Sequence, residues 1–166
     1  IVDSGVEKID FVASKLVEGY DFIDVETGGA TDTSVDSHGT FLASIVTDCT
    51  KNANVNIMPV RVLESKTGSL ANAVNGIYYA VDNGADVVNV SLGGEILNCK
   101  SLDDAITYAT ENGVSVVVCS GNSKKNIKNK GRIMISGTTF LEDANLYYIS
   151  NMYQIFDSIL KFLFYF

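Results

Sequence analysis

The sequence predicts an α/β fold of three layers, a mostly parallel sheet with helices on both faces, and three observations carry that expectation. Val60 to Leu63, Val87 to Ser91 and Val114 to Cys119 are short β-branched runs without polar alternation, as strands covered on both faces require. Between them lie stretches with apolar residues at helical spacing. Each such stretch closes on a glycine, so the order strand, helix, strand, helix, strand implies parallel strands joined by right-handed crossovers.

In chain order, Ile1 and Val2 are apolar and precede Asp3-Ser4-Gly5, so they read as the last residues of a central strand that begins before Ile1. Lys15 to Asp24 is expected as another strand, and Gly39 to Cys49 as a helix with Phe41, Leu42, Ile45 and Val46 facing inward. Pro59, which has no N–H for a ladder, belongs at the entrance of the strand that follows. Leu70, Val74, Ile77 and Val81 form one helical face, with Ser69 as N-cap and Gly84 as the stop. Ser101 with Asp104 three residues on resembles a capping box, and Leu102, Ala105, Ile106 and Ala109 make that helix's apolar face before Gly113. Ile133 to Thr138 and Leu146 to Ser150 are two further candidate strands.

The bulk numbers narrow the function classes. At 166 residues the chain has room for one continuous core, and 46% hydrophobic with 19% charged residues is globular composition. A net charge of -8 argues against a nucleic-acid partner. The three cysteines, Cys49, Cys99 and Cys119, show no Cys-x-x-Cys or Cys/His spacing, so they are expected as free, mostly buried thiols with no metal and no cofactor. Ile1 is not a translation start, so the sequence leaves any leader, the compartment and the oligomeric state unread. Two segments follow: residues 1–151, where the α/β pattern runs, and 152–166, a tail crowded with aromatics. That tail contains Asp157 and Lys161 and is too short for a membrane span, so it reads as a core or interface segment.

In parallel α/β sheets chemistry gathers at the carboxyl ends of strands. Asp3-Ser4-Gly5 follows Ile1 and Val2, Ser91-Leu92-Gly93-Gly94 follows "VVNV", and Ser120-Gly121-Asn122 follows "VSVVVC". The chain's one histidine, His38, stands at a helix start in "SHGTFLASIV". Singly these are a turn, a loop, another turn and a cap. Together an aspartate, a histidine and an asparagine amide are the parts of acyl transfer: orienter, general base and oxyanion donor.

"IVDSGV", "HGTFLAS", "SLGG" and "SGN" resemble, in this order, the aspartate, histidine, substrate-binding and oxyanion motifs of the subtilisin-like serine proteases. Residues 1 to 122 carry the resemblance, and "ISGTTFLEDANLYYISN" extends it to Asn151. It implies an incomplete subtilisin-like domain in which Asp3 orients His38, His38 acts as base and then acid, and Asn122 donates to the oxyanion. Ser91, Leu92 and Gly93 would pair by backbone with an extended peptide or protein substrate. Because the family is mostly secreted or surface-exposed, the resemblance also implies that location. No membrane span enters this picture.

Two departures qualify the match. After Asn122 the serines are Ser123, Ser136, Ser150 and Ser158, and none lies in the Gly-Thr-Ser-x-Ala-x-Pro type of motif that holds the family's nucleophile. "GTTF" at 137 to 140 imitates it but is followed by Leu141, Glu142 and Asp143. In subtilisin, where these losses were measured, removing the oxyanion asparagine costs about 10²–10³ in turnover and removing the nucleophile on the order of 10⁶. The chain alone is therefore expected to be nearly inert, either as a fragment truncated before the serine by a frameshift or read-through near Asn151, or as a non-catalytic peptide-binding pseudoprotease. Second, a histidine the family often carries three residues after the catalytic one is Phe41 here, a change expected to serve core packing. Asp32 and Asp36 lack the full oxygen pattern of a calcium loop. A nucleotide-binding reading fails for want of Gly-x-Gly-x-x-Gly after the first strand.

Overall fold

The computed structural model of the chain describes residues 1–26, 29–92, 99–119 and 133–135. Its elements are β1 (Val2–Asp3), α1 (Asp10–Ala13), β2 (Tyr20–Asp21), α2 (His38–Cys49), β3 (Val60–Arg61), β4 (Leu63–Glu64), β5 (Thr67–Gly68), α3 (Leu70–Asp82), β6 (Val87–Val90), α4 (Lys100–Glu111), β7 (Ser115–Cys119) and β8 (Ile133–Ile135). Six strands form one sheet in the order β2-β3-β1-β6-β7-β8, every neighbouring pair parallel. The two-residue strand β1 is thus internal, with Val2 opposite both Val60 and Val90.

Two apolar clusters flank the sheet. On one face Val2, Val60, Val62, Val88 and Val90 pack against Val74, Ile77, Ala105 and Ile106 of α3 and α4. On the other, Val6, Val12, Ala43 and Ile57 close around α1 and α2, with Ile1, Leu16 and Val46 beside them. Ile77 is fully buried, which stabilises the fold by about 2–3 kcal/mol relative to exposure. The result is the expected three-layer arrangement. One feature runs against the right-handed rule: the connection from β1 to β2 and the return from β2 to β3 travel in opposite directions, yet α1 and α2 pack together on one face. The two connections therefore differ in hand.

The local signals account for most of the helices. Ser69 Oγ accepts the Asn72 N–H at 3.0 Å and caps α3, and Gly84 follows its end at φ +81°. At α4 the expectation is corrected. The helix starts at Lys100 with Cys99 as N-cap and no side-chain cap bond, so Ser101 lies inside the first turn. The strand expected over 15–24 is also shorter, with Leu16 bridging Ile57 and only Tyr20–Asp21 pairing with β3. Pro59 lies opposite the gap, and its missing N–H interrupts the ladder there.

In α2 the inward face differs from the one expected. Gly39, Thr40, Ala43 and Thr47 are buried and Val46 packs beside them as expected, while Phe41 is 44% exposed and lacks the burial expected of it. Small side chains win because the helix start lies against the backbone: a Cβ at Gly39 would overlap the Gly5 carbonyl oxygen. At the other end, Lys15 Nζ donates to the carbonyls of Thr50 at 3.0 Å and Ala53 at 3.1 Å, a cation where the helix dipole is negative. Cys49 is exposed and Cys99 half-buried, which corrects the expectation of buried thiols at these two positions. Among the described residues no helix is long and apolar enough to cross a membrane. Gly93, Asn122, the candidate strand 146–150 and the tail 152–166 lie outside the described residues.

Candidate active site

Strand alternation sends Val2 toward α3 and Asp3 toward α2. Asp3 and Ser4 are both buried, and the chain then turns sharply at Gly5, whose φ is +96° and whose missing Cβ leaves room for the Ala30 carbonyl. The opening segment is thus a strand end and a turn at once. His38 is the first residue of α2, and its Nδ1 lies 2.8 Å from Asp3 Oδ1. The Ser4 N–H donates to the same oxygen at 2.8 Å. Asp3 Oδ2 is buried and makes no hydrogen bond within the described residues.

An ionised carboxylate only accepts, so Nδ1 carries the proton of the neutral imidazole and Nε2 keeps its lone pair. The hydrogen bond to Asp3 raises the His38 pKa above its ordinary value against the opposing effect of burial, and the charges of Asp3, Asp36 and Asp32 add to the rise. With the His38 side chain 44% exposed, the ring is reachable from solvent. A wholly buried acid behind a half-exposed imidazole is an arrangement that can take a proton from a hydroxyl and return it.

Two further polar groups fix this corner. Arg61, at the end of β3, donates to Asp21 Oδ2 at 2.8 Å and to Thr33 Oγ1 at 2.9 Å, a buried ion pair that ties the segment before His38 to the sheet. Asp32 accepts the Thr40 N–H and hydroxyl and the Ser34 N–H and hydroxyl. Burial works to raise the Asp32 pKa, and these bonds from Ser34 and Thr40 overcome it, holding the carboxyl below its ordinary range. Sequence reasoning weighed Asp32 only as part of a calcium loop; the signal it missed is Asp-x-Ser followed by a helix start lacking its own cap.

Ser91 and Leu92 leave β6 beside Asp3, because Val90 is in register with Val2. Ser91 Oγ accepts from Asn89 Nδ2 at 2.9 Å, and Leu92 packs on the α3 side of the core. Asp3, His38 and the Ser91 segment therefore share the carboxyl edge of the sheet. Gly93 and Asn122, the remaining expected site residues, lie outside the described residues. Among the described residues no group of three or more His, Cys, Asp or Glu is arranged to hold a metal ion.

Residues 1–145 match the Subtilase family. Among similar proteins, thermitase of Thermoactinomyces vulgaris is 37% identical over 139 residues, covering 78% of this chain and 48% of the relative. Subtilisin DY of Bacillus licheniformis is 34% identical over 131 residues, covering 74% of this chain and 46% of its own length. Among solved structures, a cold-adapted subtilisin-like serine proteinase superposes with a TM-score of 0.62 at 32% identity, over 74% of this chain and 45% of the other. The chain thus spans about half the length of these relatives or less.

Proposed function

The chain belongs to the subtilase family, and from that premise we propose that residues 1–151 are part of a serine endopeptidase domain in which Asp3 orients His38 for proton transfer. The observation that carries the reading is the 2.8 Å contact between His38 Nδ1 and the buried Asp3 carboxylate at the carboxyl end of an internal parallel strand. In the proposed reaction His38 Nε2 takes the proton of a serine hydroxyl as that oxygen attacks a peptide carbonyl. It then gives the proton to the leaving amine, while Asp3 stabilises the imidazolium. Asn122 donates its amide to the oxyanion, and Ser91, Leu92 and Gly93 pair with an extended peptide as an added strand.

No serine of these 166 residues is assigned the nucleophile's role, because none sits in the family's Gly-Thr-Ser context. The same observation favours a second reading, a peptide-binding pseudoprotease that keeps the groove without the chemistry. Sequencing the nucleotides that flank the coding region separates the two. A reading frame encoding Gly-Thr-Ser with small residues supports the endopeptidase, and independent reads that agree with the tail and reveal no such frame support the binding module. A fluorophosphonate probe should label no serine of the chain by itself; a labelled serine would overturn the assignment.

A further inference from the structure

We infer that Asp32 is a positioning residue for His38, one that locks the exit of β1 to the first turn of α2 and thereby sets the Asp3–His38 spacing; this rests on the reading of His38 as the base. Two relays of hydroxyls end on its carboxylate. In the first, the Glu7 N–H donates to Thr40 Oγ1 at 2.9 Å, and that hydroxyl donates to Asp32 Oδ2 at 2.8 Å. In the second, the Gly39 N–H donates to Ser4 Oγ at 3.0 Å, Ser4 and Ser34 Oγ lie 3.4 Å apart, and the Ser34 hydroxyl lies 2.5 Å from Asp32 Oδ1.

A hydroxyl has one proton to give. Ser34's lies within reach of both Ser4 Oγ and the carboxylate, and the contact with the carboxylate is much the shorter. Only a group that accepts and never donates can terminate both relays, which requires Asp32 ionised. Asp32 is 6% exposed, and an ionised carboxylate so buried is costly unless donors surround it. Four do, two of them backbone N–H groups, and the positive end of the α2 dipole adds to them.

The relays bracket the catalytic pair. Ser4 is the neighbour of Asp3 and Gly39 the neighbour of His38, so the Ser4–Gly39 bond joins the two backbones directly beside the side-chain contact. The helix does not cap itself, since Ser37 sits at φ +46° and makes no cap bond. Asp32, six residues before His38, does that work through the Thr40 N–H. Removing its charge would also act on His38 through space, alongside Asp3 and the Asp36 that pairs with Lys66. A test of positioning must therefore leave every charge in place.

Thr40→Val removes the relay hydroxyl while keeping charge and shape, and Thr40→Ser keeps the hydroxyl. His38 is the only histidine, so ring ¹⁵N spectra of the 166-residue chain report its titration and tautomer without interference. Thr40→Val is expected to weaken proton binding at His38 about threefold, a fraction of what the lost charge-assisted bond to Asp32 is worth because His38 feels it only through the backbone, and to lower the share of neutral rings protonated on Nδ1. Thr40→Ser should restore both readings. A folded Thr40→Val chain with wild-type titration and tautomer overturns the inference. Should that variant not fold, Ser34→Ala, which cuts the other relay, decides on the same two readings. None of these requires peptide cleavage: a chain whose His38 responds as stated, but which binds no extended peptide and whose flanking nucleotides encode no Gly-Thr-Ser frame, would uphold this inference and refute the proposed function.

Discussion

Replacing Gly39 by alanine places one methyl group beside His38 and sets two effects against each other. In an exposed helix interior the change stabilises by up to about 1 kcal/mol, because alanine loses less conformational freedom than glycine. Here the added Cβ overlaps the Gly5 carbonyl oxygen and comes within 3.2 Å of Gly5 C and 3.3 Å of Gly5 N. Gly5 has no room to retreat, since its left-handed turn already lies against the Ala30 carbonyl. Overpacking costs about 1–3 kcal/mol, and contact with fixed backbone places this case in the upper half, so the net is a loss of about 1–2 kcal/mol. For a chain of 166 residues that lowers Tm by roughly 2–8 °C. Gly76→Ala is the control. Its Cβ would meet only valine methyls, Val62 Cγ1 at 2.8 Å and Val2 Cγ1 at 3.1 Å, and should cost less. Urea denaturation with an unchanged m-value is the assay. A Gly39→Ala chain as stable as the parent, or more so, would refute the idea that α2 is docked through its second residue.

Breaking the buried Asp21–Arg61 pair by Arg61→Met should destabilise by about 3–5 kcal/mol in the same assay, because it strands a buried charge. Adding Asp21→Asn should recover part of that loss. The acid limb of stability tests Asp32. Its folded pKa lies below the ordinary value, so its contribution is fully present above about pH 4 and is lost as pH falls through the folded pKa; Asp32→Asn should flatten that limb. His38 has the opposite sign. Its folded pKa is raised, so the stability from its bond to Asp3 is complete below about pH 6.5 and fades as pH rises through the folded value, a slope that Asp3→Asn should remove.

The parallel β-branched runs were legible because strands covered on both faces tolerate no polar alternation, and β6 and β7 lie within one residue of where those runs fall. Helix α3 was legible because its serine cap, its glycine stop and the buried Val74, Ile77 and Val81 agree, although Leu70 of the same expected face is exposed. The family was legible from the order of its motifs, and the match over residues 1–145 agrees with that reading. Helix α2 was misread because apolar periodicity reports where large side chains lie, and this helix docks through glycine, threonine and alanine, where the backbone comes close. Half of the Asp32 network escaped because Ser4 and Glu7 are brought to it only by the turn after β1, while Ser34 and Thr40, two and eight residues along the chain, carried the local signal that was passed over.

The protonation site of the neutral His38 ring tests the central claim most directly. A ¹⁵N spectrum of the single histidine, taken well above its pKa, should place the proton on Nδ1, held by Asp3, with Nε2 unprotonated and free to act as a base. In Asp3→Asn that preference should vanish. A wild-type ring protonated on Nε2, or a tautomer indifferent to Asp3→Asn, would contradict the account.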